Sequence, residues 1–468
     1  MVVHDEFDGF GMQSAQELAE LNKALEAGYE VVPDQMVGGG ALRVESVDRI
    51  LHVATFTDQH LRFWKDIPKD TATNTIEQYI KLTGYGNEAT FLPEGVAPQE
   101  GDVNLERAYA LVKYIGTLRK VTHPMTLVNT YITDAIAAQN MAGAMWIARN
   151  LEWALFFGNS KLGAGGTEFV EFDGLYNLAQ TSYDLKGKPM SEYVINDIAQ
   201  LILDNYGFPT DLYLPFQVYA DINKQFLPKE RVVLPTESGG YQGGVMLSKM
   251  VTQAGIINLD PTFFLGNSEG MIRMPLKKVP TGATHSQAPT TPASVAAGSM
   301  IGADGDWAKS FPSGGTVKYK VTACNRYGES APTSEETVVI SSTDLTKHIP
   351  LTITNDSSVA IPPDYFNIYR SDDGGNNYYW IAAVPATSQA GSGTTTWNDI
   401  NDIMPGKYIA FMGQLTPDTL QFKQLSPLIK MDLAVIEPSI RWMLLLYGTL
   451  ILYTPRKWCI VKNIGVSK

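Results

Sequence analysis

The pentapeptide Gly266-Asn267-Ser268-Glu269-Gly270 has the G-x-S-x-G spacing that presents a serine hydroxyl for nucleophilic attack at a strand-to-helix turn. An apolar run, Phe263 to Leu265, precedes it. The helix that must follow has no room, because Pro275 stands five residues beyond Gly270, and the Asp-then-His order downstream is met only by residues of a later β-rich region. Gly163-Ala164-Gly165-Gly166 lacks the Lys-Ser/Thr of a phosphate loop and reads as a surface loop. His4, His52, His60, His123, His285 and His348 contain no i, i+4 pair, so no metal is expected. Asp372, Asp373, Asn376 and Asn377 could chelate calcium weakly but suit a hairpin turn that needs no ion. No catalytic, cofactor-binding or metal-binding residue is assigned, and the chain is read as a non-enzyme.

The totals narrow the partners. With 36 Lys plus Arg against 49 Asp plus Glu, the net charge of -13 repels a phosphate backbone, so nucleic-acid binding is disfavoured as the main task. A wall that faces a polyanion without sticking to it is compatible with such a balance. The two cysteines, Cys324 and Cys459, match neither a metal knuckle nor a disulfide framework and are expected to be reduced. No signal peptide is visible, and the longest apolar run, Trp442 to Tyr453, has 12 residues against the roughly 20 of a spanning helix. No membrane span is expected. A carbohydrate-active enzyme with a β-sandwich module is the enzymatic alternative, disfavoured by the missing export signal.

The elements that would position any function are unequal in kind. The 468 residues call for two or three units. Leu18, Leu21 and Leu25 follow Ser14 at helical spacing, and Gly38-Gly39-Gly40 makes a joint. Two β-leaning stretches, Thr71 to Leu82 and Arg107 to Leu118, flank a Gly/Pro-rich centre and predict a long hairpin with little core of its own. Thr133 to Phe157 predicts a broadly apolar helix stopped by Gly158, and Ser191 to Tyr206 a helix capped by Ser191. Residues 281 to 300 read as a linker. Beyond them Val317, Tyr319, Val321 and Ala323 alternate with Lys318, Lys320 and Thr322, the first of several short strands that predict a β-sandwich. The apolar segment after Pro405-Gly406 is too short for a domain, so the sandwich is an insertion.

That order, together with the run Asn150-Leu151-Glu152-Trp153-Ala154-Leu155-Phe156-Phe157-Gly158-Asn159 followed by Glu171-Phe172-Asp173-Gly174-Leu175, resembles the major capsid proteins of tailed bacteriophages, the Hong Kong 97-type fold. Gly39-Gly40-Ala41-Leu42-Arg43 and the ending Pro455-Arg456-Lys457-Trp458 to Lys462-Asn463 are similar to the same group. The resemblance implies an α+β chain with an N-terminal arm (1–46), a connecting helix or strand (47–65) and an extended loop (66–117). A peripheral domain (118–199 and 438–468, spine helix 133–157) and an axial domain (200–282 and 405–437) would follow, interrupted by an immunoglobulin- or fibronectin-like insert (283–404). It implies self-assembly into the pentamers and hexamers of an icosahedral head around double-stranded DNA, which is enclosed without specific binding, with the insert outward. Portal and scaffolding proteins are the implied partners, with decoration proteins as a further option, no cofactor or membrane is implied, and the location is the virion after assembly in the host cytoplasm. An encapsulin-like compartment shell is the alternative of the same class.

Overall fold

The computed structural model describes residues 60–86, 91–97, 101–127, 135–163, 170–226, 232–235, 241–244, 247–266, 273–358, 360–389, 391–435 and 437–466. The arm, its Gly38 to Gly40 joint and the connecting segment up to residue 59 lie outside them. The short helix Phe63–Asp66 leads into β1 (Lys69–Thr71), the hairpin β2 (Ile76–Gly84) and β3 (Asn104–Leu111), and β4 (Lys113–Thr122). The helix Ala135–Phe157 follows, then β5 (Thr181–Asp184), the helix Glu192–Leu203, β6 (Asp211–Leu214), the helix Phe216–Phe226, β7 (Val232–Pro235), β8 (Tyr241–Gly244), β9 (Lys249–Thr252) and β10 (Gly255–Pro261). Seven strands build the insert: β11 (Ser294–Ala297), β12 (Gly315–Cys324), β13 (Glu336–Ile340), β14 (Ile349–Thr354), β15 (Tyr365–Ser371), β16 (Tyr379–Pro385) and β17 (Thr394–Asp399). The chain ends through β18 (Tyr408–Gly413), β19 (Leu420–Asp432), β20 (Ser439–Leu452) and β21 (Trp458–Ile464).

Two sheets carry the body outside the insert, ordered β1-β19-β20-β4 and β5-β21-β18-β6-β10-β9. Both draw strands from both ends of the chain. In the six-stranded sheet, alternation sends Leu212, Leu214, Met412 and Val461 toward the helices Glu192–Leu203 and Phe216–Phe226. Tyr213, Phe411, Trp458 and Ile460 face the other way, into a core shared with the four-stranded sheet and the helix Ala135–Phe157. The sheets cross the division expected at 437/438. β19, expected in the axial part, pairs with β20, and β21, expected in the peripheral part, pairs with β18. Strand partners are set by long-range register, which local sequence does not carry.

Within Ala135–Phe157 the two halves differ. Residues 151 to 157 are buried on every side, whereas Met141 and Trp146 lie exposed, so the broad apolar surface is deeply buried only over the last two turns. Gly158 ends it because there is no space for a side chain: a Cβ there would sit 2.4 Å from the Phe172 carbonyl oxygen and 2.6 Å from that of Ala154. We expect Gly158→Ala to lower the stability of the unassembled chain by about 1–3 kcal/mol, read as a shifted urea midpoint. The other helix is shorter than expected. Ser191 is extended at the N-cap but makes no side-chain cap bond, and the chain leaves the helix before Tyr206, which adopts φ 59°.

The insert is a two-sheet sandwich, β11-β14-β17 against β13-β12-β15-β16, around Trp307, Val317, Tyr319, Val321, Leu351, Phe366 and Ile368. Residues 281 to 300 are not a simple linker, because Ser294–Ala297 pairs along β14 and opens the first sheet. The alternation expected along β12 fails at Thr322, which is fully buried although it faces away from that core. At this end the outer face of the sheet is covered by Glu329, which pairs with Lys277.

Candidate assembly surfaces

Directly opposed residues on paired strands share a face. In the hairpin, Ile76 opposes Leu111, Gln78 opposes Tyr109, Ile80 opposes Arg107 and Leu82 opposes Leu105. This mostly apolar face lies in the open, with Ile80 65%, Leu105 61% and Tyr109 70% exposed. The polar face, with Glu77, Lys81 and Glu106, is the one that turns toward the body, where Tyr79 meets the edge of Tyr453 at 5.0 Å between ring centres. Tyr85, Phe91, Leu92 and Val96 extend the exposed apolar surface toward the tip. The second β-leaning stretch is divided. Leu111 closes the hairpin, Val112 is buried, and the residues from Lys113 on pair with β20 instead.

The four-stranded sheet repeats the pattern on its outer side. Trp442, Leu444 and Leu446 enter the core under the spine helix. Their neighbours Met443, Leu445 and Tyr447 face out beside Leu118 and Tyr114 of β4 and Ile429 and Met431 of β19. Gly116 lets this row close up, since a Cβ there would fall 2.4 Å from Leu445 Cδ2. Contiguous apolar surface of this kind marks a contact site in a folded chain.

Glu152 fixes where the N-terminal part enters the body. Fully buried on the spine helix, its carboxylate accepts from the backbone N–H groups of Phe63 at 2.8 Å, Trp64 at 2.7 Å and Arg62 at 3.1 Å, at the start of the short helix Phe63–Asp66. Burial pushes its carboxyl up to about 6 against the lowering pull of those three donors. Nearby Asp260 is likewise raised to about 6, by burial and then by Asp66 and Asp211, with Arg62 opposing. Both folded values lie above the unfolded ones, so the ionised forms oppose folding near neutrality and the stability they withhold returns as pH falls. We expect the urea midpoint of the unassembled chain to rise between about pH 7.5 and about pH 5.5, and the rise to shrink in Asp260→Asn.

A third surface joins the insert to the body. Arg273, buried, pairs with Glu171 and reaches the Tyr365 hydroxyl of β15 at 3.2 Å. Lys277 pairs with Glu329 at 2.5 Å, Lys309 with Asp184 at 2.7 Å, and Lys462 with Asp402 at 2.7 Å, each pair linking body to insert. Asn463 Oδ1 accepts from Met404 N at 2.7 Å, while its Nδ2 donates to Asp184 at 2.8 Å. A cavity of about 280 Å³ lies at this seam, lined by Phe157, Tyr176, Arg273, Trp380 and Asp402 among others. The insert is bolted down by paired charges.

The residues weighed for chemistry in the sequence are scattered. Gly266 ends a short 3-10 turn and Asn267 to Gly270 lie outside the described residues, as do Ala164 to Gly166, His4 and His52. His60 packs against Phe263, His285 against Tyr327, and His348 bonds Asp304 at 2.6 Å. Among the described residues, no group of three or more His, Cys, Asp or Glu could hold a metal ion. Asp373 accepts from Ser371, Asn376 and Asn377, which pull its carboxyl down to about 2 and close the turn from within. Both cysteines are buried thiols, Cys459 pushed up to about 12 by burial. What sequence reasoning missed is Glu152, although a lone carboxylate between Leu151 and Trp153 is itself a signal of a buried partner.

Comparison with known proteins agrees with a shell protein. The family model "SU10 major capsid protein" matches residues 69–274. The putative major capsid protein of Enterococcus phage phiEF24C is 31% identical over 466 residues, covering 97% of this chain and 96% of its own. The major capsid protein of Staphylococcus phage K is 29% identical and covers 94% of each chain. Solved structures show a looser likeness: the holo-SrpI encapsulin complex of Synechococcus elongatus PCC 7942 at 8% identity and TM-score 0.46, covering 91% of this chain and 94% of that one. The capsid of Myoviridae phage XM1 follows at 9% identity and TM-score 0.43, covering 92% and 100%. The likeness to the sequence relatives runs over nearly the full length of both chains.

Proposed function

The chain belongs to the family of phage major capsid proteins and is a structural component of the virion shell, and from that premise we propose that the hairpin face Ile76, Ile80, Leu82, Leu105 and Tyr109 is the principal contact by which copies of the chain hold one another. One observation carries this reading: the hairpin turns its apolar face away from its own body and its charged face toward it. An exposed apolar ribbon is unfavourable in a lone subunit and favourable once a second copy covers it. Shared among neighbours, such arms give each subunit obligate-scale contacts of about 2,000 Å² or more.

The rest of the resemblance fits around that contact. The four-stranded sheet with the spine helix serves as the peripheral part of a Hong Kong 97-type subunit, the six-stranded sheet with its two helices as the axial part, and 283–404 as an immunoglobulin-like insert displayed outward. Subunits of this form build the pentamers and hexamers of a head, meet portal and scaffolding proteins during assembly, and enclose DNA without binding it specifically, in keeping with the net charge of -13. The test is the double variant Ile80→Glu, Leu105→Glu. It removes no core residue, so the subunit should unfold at an unchanged denaturant midpoint while forming no shells by electron microscopy; normal shells would refute the reading.

A further inference from the structure

The seam between body and insert brings a lysine, a glutamate and an asparagine into one buried contact. Lys277 comes from the body just before the insert, Glu329 from the turn after β12, and Asn367 from β15, at 6%, 3% and 1% exposure. Lys277 Nζ donates to Glu329 Oε2 at 2.5 Å, and Asn367 Nδ2 donates to Glu329 Oε1 at 3.2 Å. One carboxylate therefore touches an amine and a carboxamide nitrogen at the same time. The Trp380 indole N–H donates to Asn367 Oδ1 at 3.2 Å, and the Trp380 backbone N–H donates to the Lys277 carbonyl at 2.9 Å, which fixes both residues against β16. The Thr322 and Tyr369 hydroxyls hold Glu329 in place, and Cys324 and Tyr365 add to the surrounding wall.

A lysine and a glutamate buried as ions carry a desolvation cost that their attraction offsets only in part. A reaction that ends with neither charge relieves it. We infer that Lys277 and Asn367 are joined by an isopeptide bond, formed once per chain, with Glu329 as the group that moves the protons. Glu329 takes a proton from the Lys277 ammonium, and the free amine attacks Asn367 Cγ. The indole N–H of Trp380 supports the carboxamide oxygen as it gains negative charge. The proton that the attacking nitrogen then loses passes to Nδ2, the Cγ–Nδ2 bond breaks, and ammonia departs. A new Nζ–Cγ amide and a protonated Glu329 remain, so atoms and charge balance without an oxidant or cofactor. The bond would lock the insert to the body in every subunit, independently of how subunits meet.

The test is the intact mass of the purified, denatured full-length chain, followed by peptide mapping. The wild-type chain should be lighter than its sequence by one ammonia and should yield a branched peptide joining the Lys277 and Asn367 segments. Asn367→Ala and Glu329→Gln should each lack the branched peptide. A wild-type chain with Lys277 and Asn367 both unmodified overturns the inference, and so does an ammonia loss confined to an unbranched peptide around Asn367. The measurement is made on unfolded chain, so a variant that folds poorly does not obscure the wild-type result.

Discussion

Excising Ile76 to Leu111 and joining Thr75 to Val112 through two glycines leaves a folded, soluble chain that forms no shells. The ends of the cut already meet, with Val112 N–H donating to the Thr75 carbonyl at 2.9 Å. On either side, β1 is held by β19 and β4 by β20, so the four-stranded sheet closes without the hairpin. No described residue of the hairpin belongs to the main hydrophobic core. Removing it takes away an exposed apolar ribbon, and the subunit should lose little stability, within about 1 kcal/mol. Assembly should be abolished, because the hairpin's apolar face has no cover within its own chain and only another copy can supply one. Far-ultraviolet circular dichroism and negative-stain microscopy on the same preparation separate the two effects; shells of normal size from the shortened chain would contradict the account.

Glu152→Ala should strongly destabilise the unassembled subunit. Truncation leaves the N–H groups of Arg62, Phe63 and Trp64 without their acceptor, and that of Phe63 lies in the buried core. The loss is offset in part because a buried charge disappears with them, so the net cost is about 2–4 kcal/mol. Glu152→Gln keeps one acceptor oxygen but turns an NH2 group toward the remaining donors, and should fall between wild type and alanine. Phe63 stacks on Phe156 at 4.7 Å between ring centres, so freeing the short helix also loosens the end of the spine helix. Urea unfolding at neutral pH measures the cost, and an alanine variant as stable as wild type would show that the carboxylate is not the clamp described here.

Local pattern was legible in the sequence where burial is one-sided. Val317, Tyr319, Val321 and Ala323 alternate because one face of β12 meets the sandwich core, and the strand followed directly. The spine helix was legible from its apolar width. Three features were not. Ser294–Ala297 reads as linker because Val295 is its only large apolar residue, and its strand character comes from pairing with β14. The exchange of β19 and β21 between the sheets depends on partners hundreds of residues away, such as Phe422 beside Lys69. Thr322 belongs to a polar strand face by pattern, yet is buried because Lys277 and Glu329 cover it from outside the sandwich. The hairpin was visible as two β-leaning stretches without a core, but which face it turns outward needed the register of β2 against β3.

A hairpin face that is bare in the free subunit and covered in the shell can be read by side-chain footprinting without altering the sequence. Hydroxyl-radical labelling of Tyr109, which is 70% exposed in the subunit, should be strong in unassembled chain and suppressed several-fold in intact shells, while Tyr213 stays unlabelled in both. Equal labelling of Tyr109 in shells and free subunits would show that the hairpin face is not where copies meet.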